Sequence, residues 1–278
     1  GSTFSISVSA IDSAGGSFSL SGSFVYRKNS DTDSLDDAEE IYGWWVNVDL
    51  NGDGDTMDSG ESYITHSNIF TKHSDSDGLT DYEEKNYGTN PNKIDTDKDS
   101  LSDSDEIYRE YITTFTSSDH PGIKDLQTSY ATIKNVRVFG VVKEAKLIFD
   151  IKHTCITDLK VSLKVWRGHE IVLILYNRDD PGCPDNLRKE IDMINTMGIP
   201  GDYFTIETTY VLVIEDKAIR DEGYLDYFWI QISASTSPLS SNTDLDFWND
   251  GEEKNMEMPP IRKNILGWAV ALHPDDIG

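Results

Sequence analysis

Positive charge is scarce in this chain: 24 Lys and Arg stand against 50 Asp and Glu in 278 residues, a formal net charge of −26 with a pI near 4.4. That balance argues against nucleic acid or an anionic membrane surface as the partner, since both recruit basic side chains. No run of 18 or more apolar residues occurs, so no segment reads as a membrane-spanning helix. The G-x-S-x-G, H-E-x-x-H, P-loop and Rossmann glycine patterns are all missing, and Ser, His and Asp stand in no recognisable triad context. Catalysis within these residues is therefore not expected. The two cysteines, Cys155 and Cys183, leave two readings open: a bridge closing a loop of about 29 residues, which contributes roughly 3 kcal/mol in the chain-entropy description, or two free buried thiols. No signal peptide is evident, but the opening Gly1-Ser2 reads as an expression scar that leaves room for an upstream signal or domain.

What is abundant is acid, and it is patterned. Residues 26–110 hold about 23 acidic against 7 basic side chains, over half of the whole excess. Asp75, Asp77, Asp81 and Glu84 are repeated about 22 positions later by Asp97, Asp99, Asp103 and Glu106, with Asp95 at the head of the second set. Carboxylates on alternate residues, a Leu whose carbonyl can turn inward (Leu79, Leu101) and a closing acid form the oxygen-rich arrangement that a hard cation needs. A third copy lies upstream as Asn29, Asp31, Asp33, Leu35, Asp37 and Glu40. Midway falls DLNGDGDTMDSGE, where Asp49, Asn51 and Asp53 begin either an EF-hand-like loop or a degenerate one, because Glu61 stands one place beyond the usual closing position. A solvated acidic linker accounts for one charge run, but not for three copies sharing spacing, a Leu and a closing Glu. These loops predict calcium, two or more ions; zinc is disfavoured by an all-oxygen ligand set and scattered histidines.

The repeats at 73–84 and 95–106, with the intervening YGTNP, resemble bacterial thrombospondin type 3 repeats. NSDTDSLDDAEEIYGWWVNVD, with Gly43, Trp44 and Val46 in its tail, is similar to the calcium module of the binary-toxin protective antigens. Both resemblances imply calcium; neither implies toxin activity. A short helix is expected after each loop (DAEEIYG, DYEEKNYG, DEIYREYI), its aromatic residues turned to a local core.

Elsewhere the chain reads as strands. Residues 3–27 alternate around Gly15-Gly16 as a β-hairpin. From 131 onward TIKNVRVFGVV, AKLIFDIKH, DLKVSLKVW, EIVLILY, DYFTIETTYVLVIED and GYLDYFWIQIS are β-rich runs divided by turn signals, the pattern of a β-sandwich or jelly roll. DLDFWNDGEEKNMEMPP is acidic and turn-prone, and NILGWAVALH reads as one more strand. The run His153, Thr154, Asp158, Leu159, Val161, Leu163, Gly168, followed by Tyr210, Leu212, Ile214, Asp216, Asp221, Gly223 and Leu225, resembles the proprotein convertase P domain. That resemblance implies a non-catalytic jelly roll which stabilises or positions a secreted subtilisin-like protease, or stands in a surface protein. Asp158, Asp216 and Asp221 then fall at polar turns, as turn caps or as calcium ligands.

The expected fold is mainly β: an N-terminal β segment (1–27), an acidic calcium-loop module with short helices (28–110), a linker (111–130), a P-domain-like jelly roll (131–235) and a C-terminal extension (236–278). The expected function is that of a calcium-stabilised extracellular scaffold or binding region whose partner is another protein, domain or cell-surface component, without nucleic acid or membrane insertion. The alternatives are the accessory tail of a secreted subtilisin-like protease and a toxin-like cell-binding component.

Overall fold

The computed structural model describes residues 2–11, 13–26, 28–166, 170–177, 183–246 and 248–262. The chain divides into two units, 1–105 with 238–240, and 106–237 with 241–278. In the first, β1 (Ser2–Ile11) and β2 (Ser17–Tyr26) form the expected antiparallel hairpin, with left-handed Gly15 in its turn. Then come α1 (Asp37–Tyr42), β3 (Trp44–Asn47), β4 (Ser62–Thr65) and α2 (Asp81–Tyr87). The helix α3 (Asp103–Tyr108) spans the division. Helices of six or seven residues are too short to persist alone. In α1 and α2 a capping box at each N-terminus, Asp36 with Glu39 and Thr80 with Glu83, satisfies the first amides.

A small core of Leu35, Trp44, Val46 and Val48, with Leu239 against it, anchors the first unit. The Trp44 indole donates to the Thr89 carbonyl at 2.9 Å. Gly43 is required beside it: its φ is +70°, and a Cβ there would lie 1.8 Å from the Thr65 carbonyl oxygen. The helix aromatics, expected inside, are outside: Tyr42, Tyr82, Tyr87 and Tyr108 are exposed. A helix under two turns long has one inward face, and in α1 and α2 the acids Asp37, Glu40, Asp81 and Glu84 occupy it.

The second unit is an antiparallel sandwich. Its strands are β5 (Tyr111–Thr116), β6 (Gly122–Lys124), β7 (Thr128–Val136), β8 (Val141–His153), β9 (Leu159–Trp166), β10 (Glu170–Asn177), β11 (Asn186–Asp192), β12 (Thr208–Asp216) and β13 (Glu222–Ser235). One sheet runs β10-β9-β12-β7; the other runs β11-β8-β13-β5, with β6 also pairing β13. Each strand alternates, so that Leu147, Phe149 and Ile151 of β8, Leu163 of β9, Leu212 and Ile214 of β12, and Phe228 and Ile230 of β13 share one core. Each such buried side chain contributes on the order of 1.5–3 kcal/mol.

Two local expectations are corrected. Tyr111 and Ile112, read as the end of a helix, begin β5 because YITTFT alternates and finds β13 to pair with; β5, β6 and the start of β7 thus lie within the stretch read as a linker. The acidic, turn-prone stretch near 250 contains a helix, α4 (Asp250–Asn255), with its own capping box of Asn249 and Glu252. NILGWAVALH lies outside the described residues.

Candidate calcium sites

The three acidic loops share one hydrogen-bond plan. In each, the fifth-position carboxylate accepts the seventh-position amide: Leu35 to Asp33, Leu79 to Asp77 and Leu101 to Asp99, all at 2.7 Å. A Ser or Thr amide in the second position donates to the ninth-position Asp: Ser30 to Asp37 at 2.7 Å, Ser74 to Asp81 at 2.8 Å and Thr96 to Asp103 at 2.8 Å. The hydroxyls of the same residues donate to the other oxygen. Sixth-position Ser34 and Ser100 take left-handed φ of 91° and 83°, the same region as Gly78 at 119°, so serine follows the glycine path at a cost of order 1–2 kcal/mol. Leu35, Leu79 and Leu101 bury their side chains, as the loop pattern predicts.

Successive loops are interlocked. Oxygens of Asp31 and Glu40, from the first loop, and Asp81, from the next, lie within 4.8 Å of one another. The Ser67 hydroxyl donates to Glu40 at 3.1 Å. One step on, the Ser104 amide at the start of α3 donates to the Asp77 carboxylate at 3.1 Å. In the last loop Asp95, Asp97 and Asp99 bring oxygens within the same 4.8 Å limit, and Asp103 and Glu106 are buried on α3. Asp37 is held differently: although burial opposes its charge, Lys28 at 3.0 Å and Ser30 hold its carboxyl below the usual range.

Calcium fits this donor set. Asp31 Oδ2, Asp33 Oδ2, Glu40 Oε2, Asp75 Oδ2 and Glu84 Oε2 are buried oxygens with no hydrogen-bond donor. Burial first, and neighbouring carboxylates second, drive the acids toward their neutral forms: Glu40 is pushed up to about 7 against a Ser67 hydrogen bond, and Glu84 to about 10. Asp103 rises to about 8 through burial, despite Thr96. Asp33, Asp75 and Asp81 shift the same way. Acids whose ionised forms are disfavoured in this way by burial and by one another are the groups that a bound cation would stabilise as carboxylates.

Two loops depart from this plan in part. The Leu79 carbonyl, expected to turn toward the ion, faces at 2.6 Å the Nδ1 of His73, which stands where the following loop has Asp95. Among the described residues, the intermediate loop brings oxygens of no three acids within 4.8 Å of one another. Asp49 accepts the amides of Gly52 at 2.7 Å and Gly54 at 2.8 Å, while Glu61 accepts those of Leu50 and Asp58 at 3.0 Å each. Asn51 donates to Asp53 and Asp58. Asp95 accepts the amides of Lys98 and Ser100 in the same way, so these amide contacts do not by themselves separate the two loops.

One loop was missed. Asn242, Asp244, Asp246, Trp248, Asp250 and Glu253 repeat the spacing of Asn29, Asp31, Asp33, Leu35, Asp37 and Glu40. The geometry repeats as well: the Thr243 amide donates to Asp250 at 2.9 Å, the Trp248 amide to Asp246 at 2.8 Å, and Leu245 is left-handed at 58° where Thr32 is at 67°. Oxygens of Asp244, Asp246 and Glu253 lie within 4.8 Å of one another. Phe247-Trp248 replaces Ser-Leu and masks the pattern; the alternate acids followed by a closing Glu were the available signal.

Fold and site together define a mainly β chain carrying serial acidic loops of calcium-binding type. Residues 74–94 match the bacterial TSP3 repeat. The chain is 29% identical over 124 residues to the "Calcium-dependent protease" of Nostoc sp., and 28% identical over 124 residues to the protein of that name in Trichormus variabilis. Each match covers 44% of this chain and 19% of the relative, so the chain spans about a fifth of those curated proteins. Among solved structures, infectious bursal disease virus (Gt strain) matches 50% of this chain and 36% of its own, with 9% identity and a TM-score of 0.32. TmCBM61 in complex with β-1,4-galactotriose matches 46% and 90%, with 14% identity and a TM-score of 0.25.

Proposed function

We propose that this chain is a non-catalytic, calcium-stabilised region of a secreted or cell-surface protein, in which acidic loops fold around calcium and a P-domain-like jelly roll presents a surface to another protein, domain or cell-surface component. The observation that carries this reading is the meeting of Asp31, Glu40 and Asp81, three carboxylates from two loops in one small space. Bound calcium supplies the positive charge that lets such acids stay ionised while buried, and its binding energy becomes folding energy. Asp33 and Asp77 orient the loop amides, Ser30, Ser74 and Thr96 hold the ninth-position acids, and Asp81 couples one loop to the next. The Cys155–Cys183 disulfide supports an oxidising, extracellular setting.

The test is a thermal melt with and without chelator, read beside calcium stoichiometry by calorimetry. A fall in Tm on chelation with two or more ions bound supports the reading; no shift and no binding would reduce the loops to a solvated linker. Asp77→Ala and Asp99→Ala should each lower the Tm in excess calcium.

A second reading, favoured by the partial likeness to two proteins named calcium-dependent protease, makes this the accessory region of a secreted subtilisin-like protease. Catalytic D-[ST]-G, H-G and G-T-S-x-A motifs elsewhere in the full-length gene would support it; a flanking adhesin or membrane anchor would oppose it.

A further inference from the structure

At one end of the sandwich, two inward-facing rows of apolar side chains finish on polar residues. On β8 the buried row Ala145, Leu147, Phe149, Ile151 ends at His153; on β12 the row Tyr210, Leu212, Ile214 ends at Asp216. The strands belong to opposite sheets, so the two side chains meet across the core, and both are fully shielded from solvent. His153 Nε2 lies 3.5 Å from Asp216 Oδ2. Asp221 completes a trio whose ligand atoms all lie within 4.8 Å of one another. His153 Nε2, Asp216 Oδ2 and Asp221 Oδ1 are each buried without a hydrogen-bond partner.

The surroundings prepare these atoms for a cation. His153 Nδ1 faces both the Cys155 carbonyl, at 2.9 Å, and the Cys155 amide, which donates to it at 3.2 Å; in the tautomer that donates to the nearer carbonyl, Nε2 keeps a lone pair, the arrangement that backbone carbonyls impose on metal-binding histidines. Gly223 lies opposite His153 across the sheet, and a Cβ there would come within 2.6 Å of the ring, so the imidazole is held closely in place. Asp216 Oδ1 caps its own turn by accepting the Ala218 amide at 3.0 Å, which aims Oδ2 at the histidine. Burial, with Asp216 and Asp158 nearby, pushes Asp221 up to about 6. The disulfide from Cys155 to Cys183 pins the chain two residues beyond His153, and a cavity of about 400 Å³ lined by His153, Thr154 and Glu222 opens beside it.

We propose that His153, Asp216 and Asp221 form a divalent-cation site chemically separate from the calcium loops, taking a borderline metal of the zinc class through one imidazole nitrogen and two carboxylates. A nitrogen donor disfavours calcium, whose ligands are oxygens, and favours zinc or its neighbours. Two donors bonded at about 2.0–2.1 Å to a tetrahedral zinc stand about 3.4 Å apart, close to the imidazole–carboxylate separation found here. Three protein donors leave a fourth position open to water or a ligand atom.

The test is zinc titration of the full chain by calorimetry in excess calcium, which keeps the acidic loops filled. One equivalent should bind; His153→Gln and Asp221→Asn should each weaken it at least tenfold, while Asp77→Ala should leave it unchanged. Far-ultraviolet circular dichroism separates loss of the site from loss of fold. On the unaltered protein, zinc should shift the His153 Nε2 resonance and calcium should not, so the idea stands or falls even where a variant misfolds. Absence of zinc binding, zinc binding that survives His153→Gln in a folded protein, or an unmoved His153 resonance would overturn it. A resonance that responds only to acid would assign the pair to a protonated imidazole on a carboxylate.

Discussion

The Ser104 hydroxyl donates to the main-chain carbonyl of Asp77 at 2.7 Å, while its amide donates to the Asp77 carboxylate. The first turn of one loop's helix is thereby fastened to the preceding loop, and the acidic module becomes a chain of mutually braced turns. Removing a shared residue should be felt in two loops.

Asp81→Asn tests this sharing. The side chain keeps its size and the oxygen that accepts the Ser74 amide, but the charge beside Asp31 and Glu40 is lost. We expect calorimetry to show weaker calcium binding at the loops of both residues 29–40 and 73–84, and a lower Tm in calcium. If only one loop weakens, the loops act independently.

The loop at 242–253 and the loop at 49–61 should differ in kind. Asp244→Ala removes an acid that meets Asp246 and Glu253, and should lower calcium stoichiometry by one. Asp53→Ala, in a loop where no three acids bring oxygens within 4.8 Å of one another among the described residues, should leave the stoichiometry unchanged. Counting ions in the two variants distinguishes the outcomes.

Gly43→Ala combines a left-handed backbone with a collision at the Thr65 carbonyl. A loss on the order of 2–3 kcal/mol is expected from these two effects. The calcium-dependent transition should shift to lower denaturant, measured by tryptophan fluorescence through Trp44.

Proton and calcium should compete. Glu40, Asp103 and Glu84 rise in the folded protein to about 7, 8 and 10 from ordinary values of 4.5, 3.8 and 4.5. Folded acids that hold protons more tightly contribute stability fully present below the unfolded values, and that stability is lost as pH rises through the folded ones. In chelator the Tm should therefore fall from about pH 5 to about pH 9 by this linkage, whereas the increment that calcium adds should grow across the same range. Paired melts at each pH give both slopes.

Reduction of Cys155–Cys183, or the double replacement by Ser, should cost roughly 3 kcal/mol by the loop-closure description. Equilibrium unfolding with and without reductant measures it. The loss should fall on the sandwich, whose unit contains both cysteines, and leave calcium stoichiometry unaltered.

Much of the acidic module was legible because its chemistry is local: a loop of twelve residues carries Asp31, Asp33 and Glu40 at fixed spacing, whatever lies around it. The sandwich was legible for a similar reason, since alternation along β8 or β12 marks an inward face without naming its neighbour. The outward Tyr42 and Tyr87 were misread because helical spacing does not reveal that acids already fill the inner face. The loop at 242–253 escaped because Phe247 and Trp248 sit where small and aliphatic residues were expected.

By itself, then, the sequence determined the acid spacing, the capped short helices and the strand periodicity, all of which arise from interactions within a dozen residues. Only the tertiary structure decided that Asp81 stands beside Asp31 and Glu40, that Asp49 is satisfied by amides, and that His153 meets Asp216 across the core. Those relationships depend on how distant segments pack, and carboxylate and imidazole groups acquire their meaning from the atoms that burial brings against them.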